Sequence, residues 1–99
     1  MKINLLVAGL SAFALSAAAH ATDVHTRTIA STCFACHGNN GVSNGAIPSI
    51  AGLDKEYFVK TMKDFKSGAR PASIMKRHAA GYTDAEFVAM GDYFASLKK

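Results

Sequence analysis

The sequence predicts an all-α domain, on three observations. Residues 54–67 and 83–97 each place apolar side chains at helical spacing with charged side chains between them. No stretch alternates apolar and polar residues as a half-buried strand would, and no internal repeat is present. The length, 99 residues, suits one small domain.

At the start, Met1-Lys2 is a short positive segment and residues 5–15 form a mostly apolar run, too short to span a bilayer. Ala19-His20-Ala21 matches the small-x-small pattern of a cleavage site. Residues 1–21 are therefore expected to be a secretory signal cut after Ala21. Residues 22–99 are expected to be the working domain, exported to the periplasm and not inserted in the membrane. A retained anchor is the alternative, but Asn4, Gly9, Ser11 and Ser16 dilute the run. No cysteine follows the cut, which argues against a lipid anchor. Removing Lys2 lowers the formal net charge from +4 to +3, which is too small to suggest nucleic acid as a partner.

Residues 22–36 are predicted to form the first helix. Thr22 or Asp23 would cap it, and Val24, Thr28, Ile29 and Thr32 keep a rough helical period. Its β-branched residues make it weak by propensity, so packing must hold it. Gly38 would stop it.

The end of that helix carries Cys33-Phe34-Ala35-Cys36-His37, which contains both cysteines of the chain. Two thiols three residues apart, with an imidazole directly after, suit covalent attachment of haem. The thiols add across the two vinyl groups and His37 ligates the iron. A thioredoxin-like pair would need a βαβ setting, and no strand pattern surrounds Cys33. A zinc site would need further ligands at suitable spacing, and no second Cys or His pair follows. A disulfide across two residues would be strained and would close almost no loop. The 78 residues left after cleavage bury little apolar surface, so a cofactor plate for the core to form around answers a physical need. An exported CxxC pair would tend to oxidise unless something captures it.

Residues 38–53 show no periodicity and are rich in Gly and Asn. A loop of this length in a compact domain is normally functional. Its glycines would let the backbone approach a flat ring, and Ile47, Ile50 and Leu53 would cover one face of it. Residues 54–67 form the next helix, with Asp54 as its cap and Tyr57, Phe58, Thr61, Met62 and Phe65 as its apolar stripe. Gly68 ends it and Arg70-Pro71 prevents continuation. Residues 71–81 are expected to be non-helical or briefly helical. The last helix, 83–97, opens on the capping box Thr83-Asp84-Ala85-Glu86, with Tyr82 and Phe87 as a hydrophobic staple. Phe87, Met90, Gly91, Phe94 and Leu97 make its buried stripe. Gly91 inside a helix suggests a close crossing there. Lys98 and Lys99 favour the negative helix end.

Iron held by His37 has one axial position left. The candidates are Met62, Met75, Met90, His25 and His78. Met62 and Met90 lie on apolar stripes, where Met is usually core filler. Met75 lies between two strong helices, where a side chain can be aimed at a cofactor, and is assigned as the distal ligand. His78 is its competitor, and His25 reads as a solvated residue. Lys60, Lys63, Lys66, Lys76 and Arg77 read either as a patch near the haem edge that steers acidic partners or as a solvated helix face.

The order of these parts over residues 22–99 resembles class I cytochrome c. Ile47-Pro48-Ser49-Ile50-Ala51-Gly52, Phe65-Lys66-Ser67-Gly68, and Ile74-Met75 followed by Ala80-Gly81-Tyr82 are similar to small soluble bacterial cytochromes of the c4/c5 type. They are most similar to one domain of the cytochrome subunit of flavocytochrome c sulfide dehydrogenase. The resemblance implies three main helices around one covalently bound haem c. It implies that the Pro48 carbonyl takes the Nδ1–H of His37, and that first and last helices pack through Gly91, Phe94 and Tyr93. The function expected is one-electron transfer to and from redox proteins by a His/Met-ligated haem c, without enzymatic activity of the chain's own. Two other readings stay open: an electron-accepting subunit docked to a flavoprotein, and a haem-based gas binder.

Overall fold

The computed structural model describes residues 22–98. The expected signal segment 1–21 with its cut after Ala21, and Lys99, lie outside the described residues. Within them the chain is helical and holds no strand. The elements are α1 Val24–Ser31, α2 Phe34–His37, a 3₁₀ turn at Asn39–Gly41, α3 Lys55–Ser67, α4 Ile74–Ala80 and α5 Asp84–Ser96. Helix α5 packs along α3 and also takes α1 on its flank, while α4 packs on α3.

The helix starts follow from local chemistry. The Asp23 carboxylate accepts from the Thr26 amide at 2.6 Å, and Asp54 accepts from Tyr57 at 3.0 Å. Thr83 and Glu86 form a reciprocal capping box: Glu86 N–H donates to Thr83 Oγ1 at 3.1 Å and Thr83 N–H donates to Glu86 Oε1 at 2.9 Å. Each such cap satisfies amides the helix itself cannot, typically worth about 1 kcal/mol. Gly68 closes α3 in the left-handed region, its amide bonding back to Asp64 and Phe65.

The core is centred on Phe87, Met90 and Phe94, all fully buried, with Phe58, Met62, Ala30, Ile50 and Ala79 around them. Burial of each large side chain is worth about 1.5–3 kcal/mol. Phe94 joins the parts: its ring meets Phe58 at 5.5 Å and the edge of Phe34 at 6.4 Å.

Four expectations need correction. The first helix is not continuous over 22–36. Its ladder tightens at Thr32 and Cys33, whose amides bond three residues back to Ile29 and Ala30, before α2 begins. The hydroxyls of Thr28, Ser31 and Thr32 each bond a carbonyl of the preceding turn, the competition with the helix ladder that such side chains bring. Its buried face is also different: Thr26 and Ala30 are buried, whereas Val24 is 69% exposed. Small side chains let α1 come close to α5, so size selects the face. Gly91 is buried, but a Cβ there would lie 3.2 Å from Val59 and 3.3 Å from Lys55. The close crossing is therefore with α3, not with the first helix. Tyr57 leaves the α3 stripe for solvent at 52% exposure, where the Arg70 guanidinium holds its phenol pKa below the ordinary value.

Candidate functional site

The motif sits where the chain turns sharply. Phe34 anchors it through its contact with Phe94. Cys33 is half-buried against the core, Cys36 is exposed and His37 is half-buried. Burial pushes the Cys33 thiol pKa up, against a smaller lowering by the Thr32 hydroxyl.

After His37 the backbone reverses at Gly38, with φ of 92°. A Cβ there would lie 1.9 Å from the Val42 carbonyl oxygen, so only glycine fits. The loop that follows is not structureless. It contains the 3₁₀ turn, and its far side is stitched back: Ile50 and Ala51 amides both bond the Gly41 carbonyl, at 2.8 and 3.0 Å. Ser43 N–H donates to Ser49 Oγ at 2.8 Å, and Gly52 N–H reaches the Phe94 carbonyl at 2.8 Å. Ile50 is consumed by the core and Leu53 is half-buried against it, while Ile47 is 44% exposed.

This stitching aims the Pro48 carbonyl at His37 Nδ1, 2.6 Å away. A carbonyl only accepts, so Nδ1 carries the proton and Nε2 keeps the lone pair that can bind a metal. Such a partner also fixes the orientation of the ring.

The distal candidates separate by environment. Met62 is 5% and Met90 0% exposed, both inside the core. Met75, the second residue of α4, is half-buried on the edge of that same core, next to Ile74 at 66% exposure. His78 is exposed. His25 is not merely solvated: its Nε2 lies 2.7 Å from Glu86 Oε2, linking α1 to α5.

Among the described residues no three His, Cys, Asp or Glu side chains gather as a metal cage. The donors available are one imidazole nitrogen and one thioether on separate segments, with two thiols in the same turn as the imidazole. That set fits a haem, whose iron His37 and a methionine would hold and whose vinyl groups Cys33 and Cys36 would bond.

Several of the basic residues are already engaged within the fold. Lys60 pairs with Asp64 at 2.7 Å and Lys55 with Asp92 at 3.0 Å. Lys66 donates to the Tyr82 carbonyl, and its ammonium lies 5.7 Å from the Phe87 ring centroid. Lys55, Lys60 and Lys63 line a shallow groove floored by Val59 and Val88 on α3 and α5, to which no residue of the motif contributes. Lys76 and Arg77, directly after Met75, are exposed. Sequence reasoning missed four long-range polar links: His25–Glu86, Lys55–Asp92, Lys66–Tyr82 and Thr32–Tyr82. Pairs this far apart leave no periodic trace, and no local signal announces them.

No family model matches the chain. Individual relatives do. The cytochrome subunit of sulfide dehydrogenase of Chlorobaculum tepidum is 40% identical over 78 residues, 79% of this chain and 71% of that protein. Cytochrome c-553 of Helicobacter pylori is 33% identical over 102 aligned positions, 99% of this chain and all of that protein. Cytochrome c4 of Pseudomonas aeruginosa is 34% identical over 98 positions, 96% of this chain, which spans about half of that relative's length, 49%. With an all-helical fold, a CxxCH turn and full-length likeness of this kind, the chain belongs to the class I c-type cytochromes, electron-transfer proteins that carry covalently bound haem c. No described helix is long and apolar enough to cross a membrane.

Proposed function

We propose that residues 22–99, freed from the signal segment 1–21, act as a periplasmic one-electron carrier with a single haem c. Cys33 and Cys36 would form the two thioether bonds, and His37 Nε2 and Met75 Sδ would hold the iron. The observation that carries this reading is the His37 Nδ1–H bond to the Pro48 carbonyl at 2.6 Å. It leaves the other ring nitrogen available to hold a metal and backs the ring with a loop that is itself pinned at Gly41 and Phe94.

When bound, haem iron supplies a centre that accepts and releases one electron. The chain's part would be to keep His37 Nε2 and Met75 Sδ in the same positions in both states. His37 is braced by Pro48, and Met75 rests on a packed core, so little has to move. The Met75 thioether, a soft donor, would favour the reduced state and raise the potential. In this reading the chain has no catalysis of its own, and the exposed Lys76 and Arg77 beside Met75 meet acidic redox partners.

Absorption spectra of the purified protein in both oxidation states test this. The reading expects covalent haem and a far-red band from sulfur on ferric iron, lost in Met75→Ala. Colourless protein with both thiols open to alkylation, after production in a host that matures c-type cytochromes, overturns it.

The 40% identity with a sulfide dehydrogenase cytochrome subunit favours a second reading, in which the chain is the electron-accepting subunit of an oxidoreductase. Co-elution with a flavoprotein on size exclusion of native extract would support it. Elution at the monomer position would favour the free carrier.

A further inference from the structure

We propose that the hydroxyls of Tyr82 and Thr32 form a strap that sets how firmly Met75 is held, which makes Tyr82 a positioning residue for the distal ligand. The inference rests on the reading of Met75 as that ligand.

Thr32 Oγ1 and the Tyr82 hydroxyl lie 3.1 Å apart, fifty residues apart in sequence. Thr32 directly precedes Cys33, so it belongs to the proximal segment. Tyr82 directly follows Gly81, the C-cap of α4, so it belongs to the segment carrying Met75. The direction of the bond follows from counting protons. Thr32 has a single hydroxyl proton and gives it to the Ile29 carbonyl at 2.7 Å, so Tyr82 is the donor and Thr32 Oγ1 the acceptor. The result is a relay from Tyr82 through Thr32 to the backbone of α1, in which each bond polarises the next.

Helix α4 depends on its far end. It has seven residues, and Ser73 at its start makes no side-chain cap bond. Ile74, its first residue, is 66% exposed. Its C-terminal end is held from several sides through Tyr82. The Tyr82 amide bonds the Ala79 carbonyl at 3.2 Å, its carbonyl takes Lys66 of α3, and its ring meets Phe87 of α5 at 6.5 Å. The Thr32 bond adds α1. A helix rises about 1.5 Å per residue and behaves as a short rod, so fixing one end sets where Met75, near the other end, can be.

Imidazole, titrated into the ferric haem-loaded protein, competes with Met75 and reads its hold directly. Tyr82→Phe keeps the ring on Phe87 and removes only the hydroxyl. The net worth of one neutral hydrogen bond predicts imidazole affinity about fivefold higher. Thr32→Val removes the same bond, together with its own local bond to Ile29, and should give a similar rise, and the double variant should rise no further than Thr32→Val alone. A purely structural role would move the urea midpoint and leave imidazole affinity where it was. Less than a twofold change in both single variants, or rises that multiply in the double, overturns the strap. The far-red band separates this from failure of the ligand reading. A band in the parent that Met75→Ala abolishes, with imidazole affinity unmoved by Tyr82→Phe, sinks the strap alone. A parent without the band sinks both.

Discussion

Around Phe87, Met90 and Phe94 order comes from side chains that are wholly buried and touch one another; around Cys36, Pro48 and Ile47 side chains are exposed and order comes from the backbone. The first region is the seam of α3 and α5 with a flank on α1, and close packing holds it. The second is the reversal at Gly38 and the loop behind it, held by amides on Gly41 and Phe94 carbonyls. The contrast shows where the chain supplies its own stability and where it shapes a surface for something else. A packed seam tolerates few changes of volume. A stitched loop tolerates changes of side chain but few changes of backbone geometry.

Phe94 serves both regions, through its ring to Phe34 and Phe58 and through its carbonyl to Gly52. Phe94→Ala should therefore have the largest effect, about 3–5 kcal/mol off the unfolding free energy, measured by urea titration. Loss confined to the helical signal, with the loop still protected from protease, would break the link between the regions.

Gly38→Ala tests the loop alone. It combines a positive φ with a Cβ 1.9 Å from the Val42 oxygen, a strain of about 2–3 kcal/mol. The expected readout is protease cleavage within residues 38–53 while helical circular dichroism is retained.

Gly91→Ala tests the seam alone. Helix propensity favours alanine by about 1 kcal/mol. However, the new methyl would meet the Lys55 carbonyl oxygen and Val59 at 3.2–3.3 Å, and the backbone atom cannot step aside. Crowding should win by about 1 kcal/mol, seen as a lower urea midpoint with the loop unaffected. A higher midpoint would mean that α3 and α5 can separate slightly at little cost.

The smallest effect is expected at Glu86, which bonds Thr83 through one oxygen and His25 through the other. The Thr83 amide first, and then His25, hold its carboxyl pKa below the ordinary 4.5. The folded state therefore binds this proton less readily than the unfolded chain does. The stabilisation is present above pH 4.5 and fades as pH falls through the lower folded value. Glu86→Gln should flatten the fall of the urea midpoint below that pH. An unchanged slope would place the acid sensitivity elsewhere, with Asp23, lowered in the same way by Thr26, the next carboxylate to test.

What the sequence made legible is local. Asp23, Asp54 and Thr83 declare the helix starts because a cap needs only the next three residues. Met62 and Met90 declare the core because each falls on the apolar stripe of its own helix. The α1 face did not show itself, because Thr26 and Ala30 are buried for being small while Val24 is left in solvent. Gly91 announced a close crossing but not its partner, since a glycine marks an approach without saying what approaches. At the site, CxxCH is visible to any reader of spacing, whereas the eleven residues from His37 to Pro48 follow no spacing rule, and their pairing is implied by resemblance alone. The Tyr82 links depend on a tertiary arrangement that no window of sequence contains.

The bond from Gly52 to the Phe94 carbonyl has a temporal side. A ribosome releases this chain from its amino end, so the motif and its loop exist well before the residue that fastens them. Until Phe94 is made, the loop lacks its clasp and Cys33 lacks part of the core it packs against. Cys33, half-buried in the folded chain, is thus more open before Phe94 arrives than after, whereas Cys36 stays exposed once the chain has folded.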